Sequence, residues 1–129
     1  MSLRRLTSGG PWEDVVGYCR AVVAGPWVLV SGSTATVNGK VVGVGDMYAQ
    51  TVAAFGVALD GLGRAGLDVA DVVRTRIYLT DMSRQPEAGR AHHELFAEHP
   101  PANTTVEVSA LAHPDHLVEV EIDAYREPA

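Results

Sequence analysis

Acidic and apolar residues alternate near the end of the chain: Glu119 and Glu121 are at odd-numbered positions, and Val118 and Val120 are at even-numbered ones. Successive residues of a strand point to opposite faces of a sheet, so both carboxylates are predicted to lie on one face. A carboxylate held in a cleft can act as a general base that takes a proton from water. A solvated strand face is the alternative, and the residue types alone leave both interpretations open.

Tyr18 and Arg20 are two further polar side chains, two positions apart at the start of a β-rich run. Strand alternation predicts that both point to the same face, which makes Arg20 a possible cation for an anionic ligand. The alternatives are a half-buried tyrosine with its hydroxyl at the surface, and an arginine that is solvated or pairs with another subunit.

Histidine and cysteine patterns give little support to metal or thiol chemistry. His92 and His93 point about 100° apart on a predicted helix and lack the i, i+4 spacing of a paired ligand set, so both are predicted to be surface residues. His113 and His116 flank Pro114-Asp115 in a loop, where two imidazoles and a carboxylate could bind a metal, but loop histidines are usually solvated and both are predicted to be so. Cys19 is the only cysteine, and its apolar neighbours predict a buried residue without chemistry. We expect no metal and no cofactor.

Composition narrows the class of protein further. The chain has 129 residues, 47% of them apolar, which predicts a single domain over 1–129 with one hydrophobic core. A net charge of -6 argues against a nucleic-acid partner. No apolar run approaches the roughly twenty residues of a membrane span, and the first residues do not resemble a signal peptide. We therefore expect a cytoplasmic protein with no membrane partner.

The order of turns and periodic runs predicts an α+β fold. The predicted elements are a hairpin over 17–31 turning at Gly25-Pro26, a tight turn at Asn38-Gly39, a helix over 47–64 capped by Asp46, a strand over 69–81, a second helix capped by Ser83, and strands over 104–109 and 117–125. Strand 69–81 is predicted beside the first hairpin, and the last two runs are predicted to form the final strand pair. Both helices are expected on one face of a mixed sheet, leaving a partly apolar face to bury against another subunit.

The order and spacing of several short motifs resemble the RidA/YjgF family almost from end to end. The motifs lie at residues 17–22, 28–32, 50–51, 73–75, 101–108 and 118–121. The resemblance implies the chorismate-mutase-like fold and a homotrimer with ligand clefts between subunits. It also implies cofactor-free hydrolysis of reactive enamines and imines to keto acids and ammonia.

The resemblance assigns a tyrosine of the family's site to Tyr18 and a water-holding glutamate to Glu119. The family's substrate-binding arginine falls on Asn103, however, and its cysteine falls on Thr105. A neutral carboxamide lacks the charged, two-pronged donor that suits a carboxylate, so about a ten- to hundredfold loss of carboxylate binding is expected.

The sequence therefore predicts an inter-subunit cleft for a small molecule. Its ligand-binding residues are Tyr18, Ser31, Gly32, Asn103, Thr104 and Thr105, and Glu119 is the catalytic residue. The expected reaction is RidA-like hydrolysis of a substrate without a carboxylate next to the reacting carbon. A homotrimer that binds or senses a metabolite without turnover is the alternative, and a ribonuclease is the third choice.

Overall fold

The computed structural model describes residues 3–127 and contains one six-stranded sheet, a small hairpin and three α-helices. The strands are β1 (Leu3–Leu6), β2 (Ala21–Ala24), β3 (Trp27–Thr34), β4 (Thr36–Val37), β5 (Lys40–Val41), β6 (Val72–Leu79), β7 (Ala102–Glu107) and β8 (Val118–Tyr125). The helices are α1 (Pro11–Val16), α2 (Met47–Arg64) and α3 (Gln85–Phe96), with single 3-10 turns at Val69–Asp71 and Met82–Arg84.

The large sheet has the order β1-β2-β3-β8-β6-β7 and is mixed, because β6 and β7 run parallel while the other neighbours are antiparallel. Helices α2 and α3 cover one face of it. Their buried side chains pack on the even-numbered residues of β8. Phe55 and Phe96 contact each other edge to face, with their ring centroids 5.3 Å apart. The predicted α+β fold with a mixed sheet and two helices on one face is therefore confirmed.

Helix α2 begins and ends where the sequence predicts. The Asp46 carboxylate accepts a hydrogen bond from Ala49 N at 2.9 Å, which satisfies one of the free N–H groups of the first turn. Gly66, with φ +88°, lies just beyond the last residue of the helix and takes the left-handed conformation that releases the chain.

Several predicted details are wrong. β8 lies between β3 and β6, so strand 69–81 is not beside the hairpin, and β7 and β8 do not pair with each other. Residues 17–20 precede β2 and are not part of the strand. Ser83 does not cap α3: it lies in a 3-10 turn that precedes the helix and is capped by Asp81, whose side chain accepts from Ser83 N. The N-cap position of α3 is Arg84, which makes no side-chain capping bond. β1 and α1 were not predicted, because a four-residue strand and a six-residue helix are too short to show periodicity.

The second face of the sheet, called the open face below, has no helix on it within the part of the chain that the structure describes. It carries the odd-numbered residues of β8 together with Trp27 and Leu29 of β3, which are 44% and 45% exposed. Val106 of β7 is opposite Tyr78 on the same face. Among the described residues, no helix is long and apolar enough to cross a membrane.

Candidate functional site

Glu119 lies on the open face at the middle of the sheet, where β8 pairs with β3 on one side and β6 on the other. Its direct cross-strand neighbours are Thr34 and Tyr78. Its carboxylate rests on Gly32: a Cβ built on that glycine would lie 3.0 Å from Glu119 Cδ and would overlap Oε2. Glycine is therefore what allows the carboxylate to lie against the backbone of β3.

The carboxylate of Glu119 accepts no hydrogen bond from any residue in 3–127, whereas the other acids on this strand face are paired. Tyr78 donates its hydroxyl to Glu121 Oε1 at 2.5 Å, and Arg76 Nη1 lies 3.1 Å from Asp123 Oδ2. Of the three acidic side chains, Glu119 is the one left free to hold a water molecule.

Burial raises the pKa of Glu119, and the nearby charge of Glu121 raises it further, while Arg20 acts in the opposite direction. A carboxyl group whose proton affinity is increased in this way is a better general base once ionised. The predicted catalytic carboxylate thus has a position, an environment and a lack of partners that all agree with that chemistry.

Arg20 is not available as a cation for a ligand on the open face. It is 8% exposed, and its Nη1 donates to the carbonyl oxygens of Ser31 and Gly32 at 3.3 and 3.0 Å and to Ser33 Oγ at 2.7 Å. The strand pairing of β3 with β8 is irregular between Val30 and Ser33. The guanidinium therefore supports the irregular backbone on which Glu119 rests, and its role is structural.

Tyr18 and Ser31 lie beside this backbone. The Tyr18 ring is 36% exposed, and the guanidinium carbon of Arg20 lies 5.9 Å from its centroid. Ser31 Oγ donates to the carbonyl of Cys19 at 2.7 Å, which ties residues 17–20 to β3. Cys19 is half-buried, not fully buried as predicted. Tyr18, Ser31, Gly32 and Glu119 are the predicted site residues on this side of the sheet, and we call them the bulge half-site.

The other predicted binding residues lie on β7, at the opposite edge of the sheet. Thr104 is opposite Arg76 and shares the open face, where Arg74 donates to its hydroxyl at 3.2 Å. Asn103 and Thr105 are opposite Thr75 and Ile77 and therefore face α3. These two side chains, with Gln85, Ala88, Gly89, His92 and Ile77, line a cavity of about 160 Å³.

Four polar side chains are connected in a row beside this cavity. Thr105 Oγ1 donates to Asn103 Oδ1 at 3.0 Å, Asn103 Nδ2 donates to Thr75 Oγ1 at 3.0 Å, and Thr75 Oγ1 lies 2.8 Å from His92 Nε2. We call this set the edge half-site. Since β8 and β6 separate β7 from β3 and Asn103 faces away from Glu119, one chain does not bring the two half-sites together.

His92 is a site residue that the sequence did not indicate, and its predicted surface position is wrong. It is half-buried, its ring lies 5.6 Å from Phe55 and 4.6 Å from Phe96, and burial lowers its pKa, with His93 adding to the effect. The spacing of apolar residues in α3 could have indicated the position of His92. Ala88, His92 and Leu95 lie along one helix face, which packs on the core, whereas His93 is on the exposed side.

The loop histidines differ from each other. His113 is exposed as predicted, but His116 is 7% exposed, and its Nε2 lies 2.8 Å from Thr36 Oγ1. Gln50, which is fully buried, holds the backbone of this loop by donating to Asp115 O at 2.7 Å and accepting from Leu117 N at 2.8 Å. Across residues 3–127, no group of three or more metal-ligating side chains comes together.

Gly32→Ala is expected to move the Glu119 carboxylate off the β3 backbone and toward solvent. Because burial is the main cause of its raised pKa, the pKa of Glu119 should fall toward its ordinary value. Carboxyl-selective NMR titration measures this directly. A pKa equal to that of the wild type would mean that Gly32 does not position the carboxylate.

Gly56→Ala is the matched control for this substitution. Gly56 lies in α2, and a Cβ there would meet no atom within 4 Å. Alanine should stabilise the helix by about 0.5–1 kcal/mol without changing the pKa of Glu119.

Comparison with known proteins gives consistent matches over almost the whole chain. Residues 12–126 match the family model described as Endoribonuclease L-PSP. The chain is 42% identical over 125 residues to the uncharacterized protein SCO2049 of Streptomyces coelicolor, covering 97% of this chain and 93% of that one. It is 36% identical over 116 residues to the 3-aminoacrylate deaminase RutC of Acinetobacter baylyi, covering 89% and 90%.

The fold has close counterparts among solved structures. The crystal structure of Rv2704 from Mycobacterium tuberculosis, described as a member of the YjgF/YER057c/UK114 family, superimposes with a TM-score of 0.88. It is 45% identical in sequence, and the match covers 97% of this chain and all of that one.

Proposed function

Since the chain belongs to the RidA/YjgF family, we propose that it is a cofactor-free hydrolase of small enamines or imines, with Glu119 as the base that activates water. The observation that carries the proposal is the unpaired, half-buried carboxylate of Glu119 resting on Gly32. The activity named for the RutC relative, 3-aminoacrylate deaminase, supports the same class of reaction.

The hydrolysis needs few groups. Glu119 accepts a proton from water as the oxygen adds to the carbon of a C=N bond, and it gives this proton to the nitrogen, which completes an amino alcohol. Glu119 then takes the proton of the new hydroxyl group and delivers it to the departing nitrogen, so that ammonia leaves and a carbonyl group remains. A carboxyl group with a raised pKa suits both steps, because it holds the proton from water more readily than an ordinary carboxylate and can still return it to the nitrogen.

The complete site is proposed to form between subunits of a homotrimer. The two half-sites of one chain lie on different strands and opposite faces, so a substrate can contact both only if the edge half-site of one subunit meets the bulge half-site of the next. The partly apolar open face, with Trp27 and Leu29 about half exposed, supports burial against a second copy.

A single-chain mass in light scattering at micromolar concentration would contradict this assembly and remove the complete site. The expected result is a mass of three chains. Leu29→Arg provides a matched disruption, because it places a charge on the open face at a residue that belongs to neither half-site.

The substrate is proposed to lack a carboxylate next to the reacting carbon. Asn103 occupies the position where the family resemblance places an arginine, and its neighbours in the cavity wall carry no charge at neutral pH once burial has lowered the pKa of His92. A carboxylate entering this cavity would lose its hydration without gaining a cation.

Steady-state ammonia release tests the reaction. Freshly generated enamines and imines with and without a carboxylate on the reacting carbon are supplied to the wild-type protein, and saturable release with higher kcat/KM for the uncharged members is expected. Ligand-induced thermal stabilisation without ammonia release would overturn hydrolysis and favour a binding or sensing protein.

Ribonuclease activity is the third candidate, and the match to the family model described as Endoribonuclease L-PSP is the observation in its favour. The charge of the chain argues against it: 16 acidic residues against 10 basic ones give little attraction for a polyphosphate backbone.

A further inference from the structure

The edge half-site contains four uncharged polar side chains whose hydrogen bonds run in one direction. Beginning at the strand edge, Thr105 donates to Asn103 Oδ1, and Asn103 Nδ2 donates to Thr75 Oγ1. The Thr75 hydroxyl has one proton to give, and His92 Nε2 lies 2.8 Å away. The row is therefore complete when Nε2 of a neutral His92 accepts that proton.

The surroundings of His92 favour this neutral form. The groups that face it from α2 and β6 are Phe55 and Thr75, and the next residue of the row, Asn103 of β7, is also uncharged. Within α3 its ring contacts Phe96, and the titratable neighbour is His93, whose charge would oppose protonation of His92. Thr75 is fully buried, so the hydrogen bond between the two residues is shielded from water.

The direction of the row determines what a ligand meets at its open end. One N–H of Asn103 has no partner among residues 3–127, and the Thr105 hydroxyl, having given its proton to Asn103, presents only lone pairs. The wall of the cavity thus offers one donor next to one acceptor. A carboxamide matches this pair with its C=O and N–H, whereas a carboxylate has acceptors only and would direct one oxygen at the lone pairs of Thr105.

We propose that His92, acting through Thr75, is a positioning residue that fixes the amide of Asn103 and thereby selects a ligand whose far end is a carboxamide over one that ends in a carboxylate. The inference rests on the proposed function in that it names the substrate class for the same cleft. It concerns binding at the edge half-site alone and does not depend on turnover at Glu119.

Protonation of His92 reverses the row. A proton on Nε2 makes His92 a donor to Thr75, Thr75 then donates to the oxygen of Asn103, and the rotated amide donates to Thr105. The Thr105 hydroxyl becomes free to donate, and a positive charge lies behind the cavity. The affinity for a carboxylate should therefore increase as the pH is lowered.

Pyruvamide and pyruvate are the probes, because they share one skeleton and differ only in a carboxamide or a carboxylate end. Ligand-observed NMR titration gives both dissociation constants. For the wild type at about pH 8, pyruvamide should bind at least about tenfold more tightly than pyruvate, the effect of roughly one hydrogen bond to a matched partner. As the pH is lowered below about 6.5, the ordinary pKa of histidine, the ratio should move in favour of pyruvate, because burial holds the pKa of His92 below that value.

Thr75→Val and Thr75→Ser form the matched pair of variants. Valine keeps the shape of the buried residue and removes the hydroxyl. The Asn103 amide then loses the hydrogen bond that fixes its orientation, and the preference for pyruvamide over pyruvate should fall to within about threefold. Serine keeps the hydroxyl and should keep the preference. In His92→Gln, whose side chain stays neutral, the pH dependence of the ratio should disappear.

The inference is overturned if the wild type binds both probes equally or prefers pyruvate, if Thr75→Val keeps the full preference, or if His92→Gln keeps the pH dependence. Its failure is separable from that of the proposed function. Wild-type protein that discriminates between the probes but releases no ammonia from any imine would refute hydrolysis and leave this selection intact. Saturable hydrolysis without discrimination would do the reverse.

Discussion

Glu119→Gln is expected to lower kcat for imine hydrolysis by about 10²–10⁴-fold, since the amide cannot take a proton from water. KM should change much less, because the edge half-site that binds the far end of the substrate is untouched. Steady-state ammonia release with the best substrate of the panel measures both constants. A kcat within about threefold of the wild type would show that Glu119 is not the base.

Folding stability separates a chemical effect of this substitution from a structural one. The pKa of Glu119 is raised in the folded chain, so between the unfolded and folded pKa values the folded state binds more protons, and stability falls as pH rises through that window. Glutamine removes this penalty. The variant should therefore be at least as stable as the wild type at about pH 8.

Glu121→Gln is the matched control on the same strand face. Glu121 accepts the Tyr78 hydroxyl and is already paired, so most of kcat should remain. Its charge also raises the pKa of Glu119. Removing that charge should move the acid limb of the pH–rate profile to lower pH, which a merely destabilised variant would not do.

Much of the fold could be predicted because its signals are local. Asp46 caps a helix whose apolar stripe is periodic, and Gly25-Pro26 separates two β-branched runs, so α2, β2 and β3 follow from neighbouring residues. Strand order is different in kind. β8 pairs with β3 and β6, which are far from it in the sequence, and no local pattern specifies such a pairing. The family resemblance implied only the fold as a whole.

The candidate site divides in the same way. Alternation along β8 placed Glu119 on the open face correctly, and the same rule applied to β7 would have separated Asn103 and Thr105 from Thr104. Alternation alone does not predict which face of β7 is covered by α3. Only the packed structure shows that Asn103 is hydrogen-bonded to Thr75 and that Thr75 in turn contacts His92. At the position where the family resemblance places an arginine, the structure therefore has a connected row of neutral side chains.

Arg20 was the least accurately predicted of the site residues, because the prediction treated residues 17–20 as strand. In the structure the segment lies beside Ser31 within β3, whose N–H donates to Arg20 O at 2.9 Å. The side chain of Arg20 runs past Gly61 of α2, where a Cβ would lie 3.1 Å from its Cγ. A small residue on the helix therefore makes room for an arginine whose charge is used on backbone carbonyls. Sequence alone cannot distinguish that use of an arginine from ligand binding.

Arg20→Met should destabilise the protein by about 2–4 kcal/mol, because the carbonyl of Gly32 and the hydroxyl of Ser33 lose the guanidinium donor and the carbonyl of Ser31 keeps only Ser33 Oγ as a side-chain donor. Methionine retains the packing of the alkyl arm, so the loss reports mainly the hydrogen bonds. Denaturant unfolding at matched protein concentration measures it.

Two further arginine variants make that result specific. Arg20→Lys keeps a charge but not the guanidinium, and should recover only part of the lost stability. Arg64→Met removes an exposed arginine that pairs with Asp60 at 3.3 Å and should cost no more than about 0.5 kcal/mol. If Arg20→Met were as mild as Arg64→Met, the guanidinium would not be what supports the backbone at Gly32, and the position of Glu119 would need another cause. If it is severe, the carboxylate proposed to activate water rests on a segment of β3 that is held in place by a buried arginine.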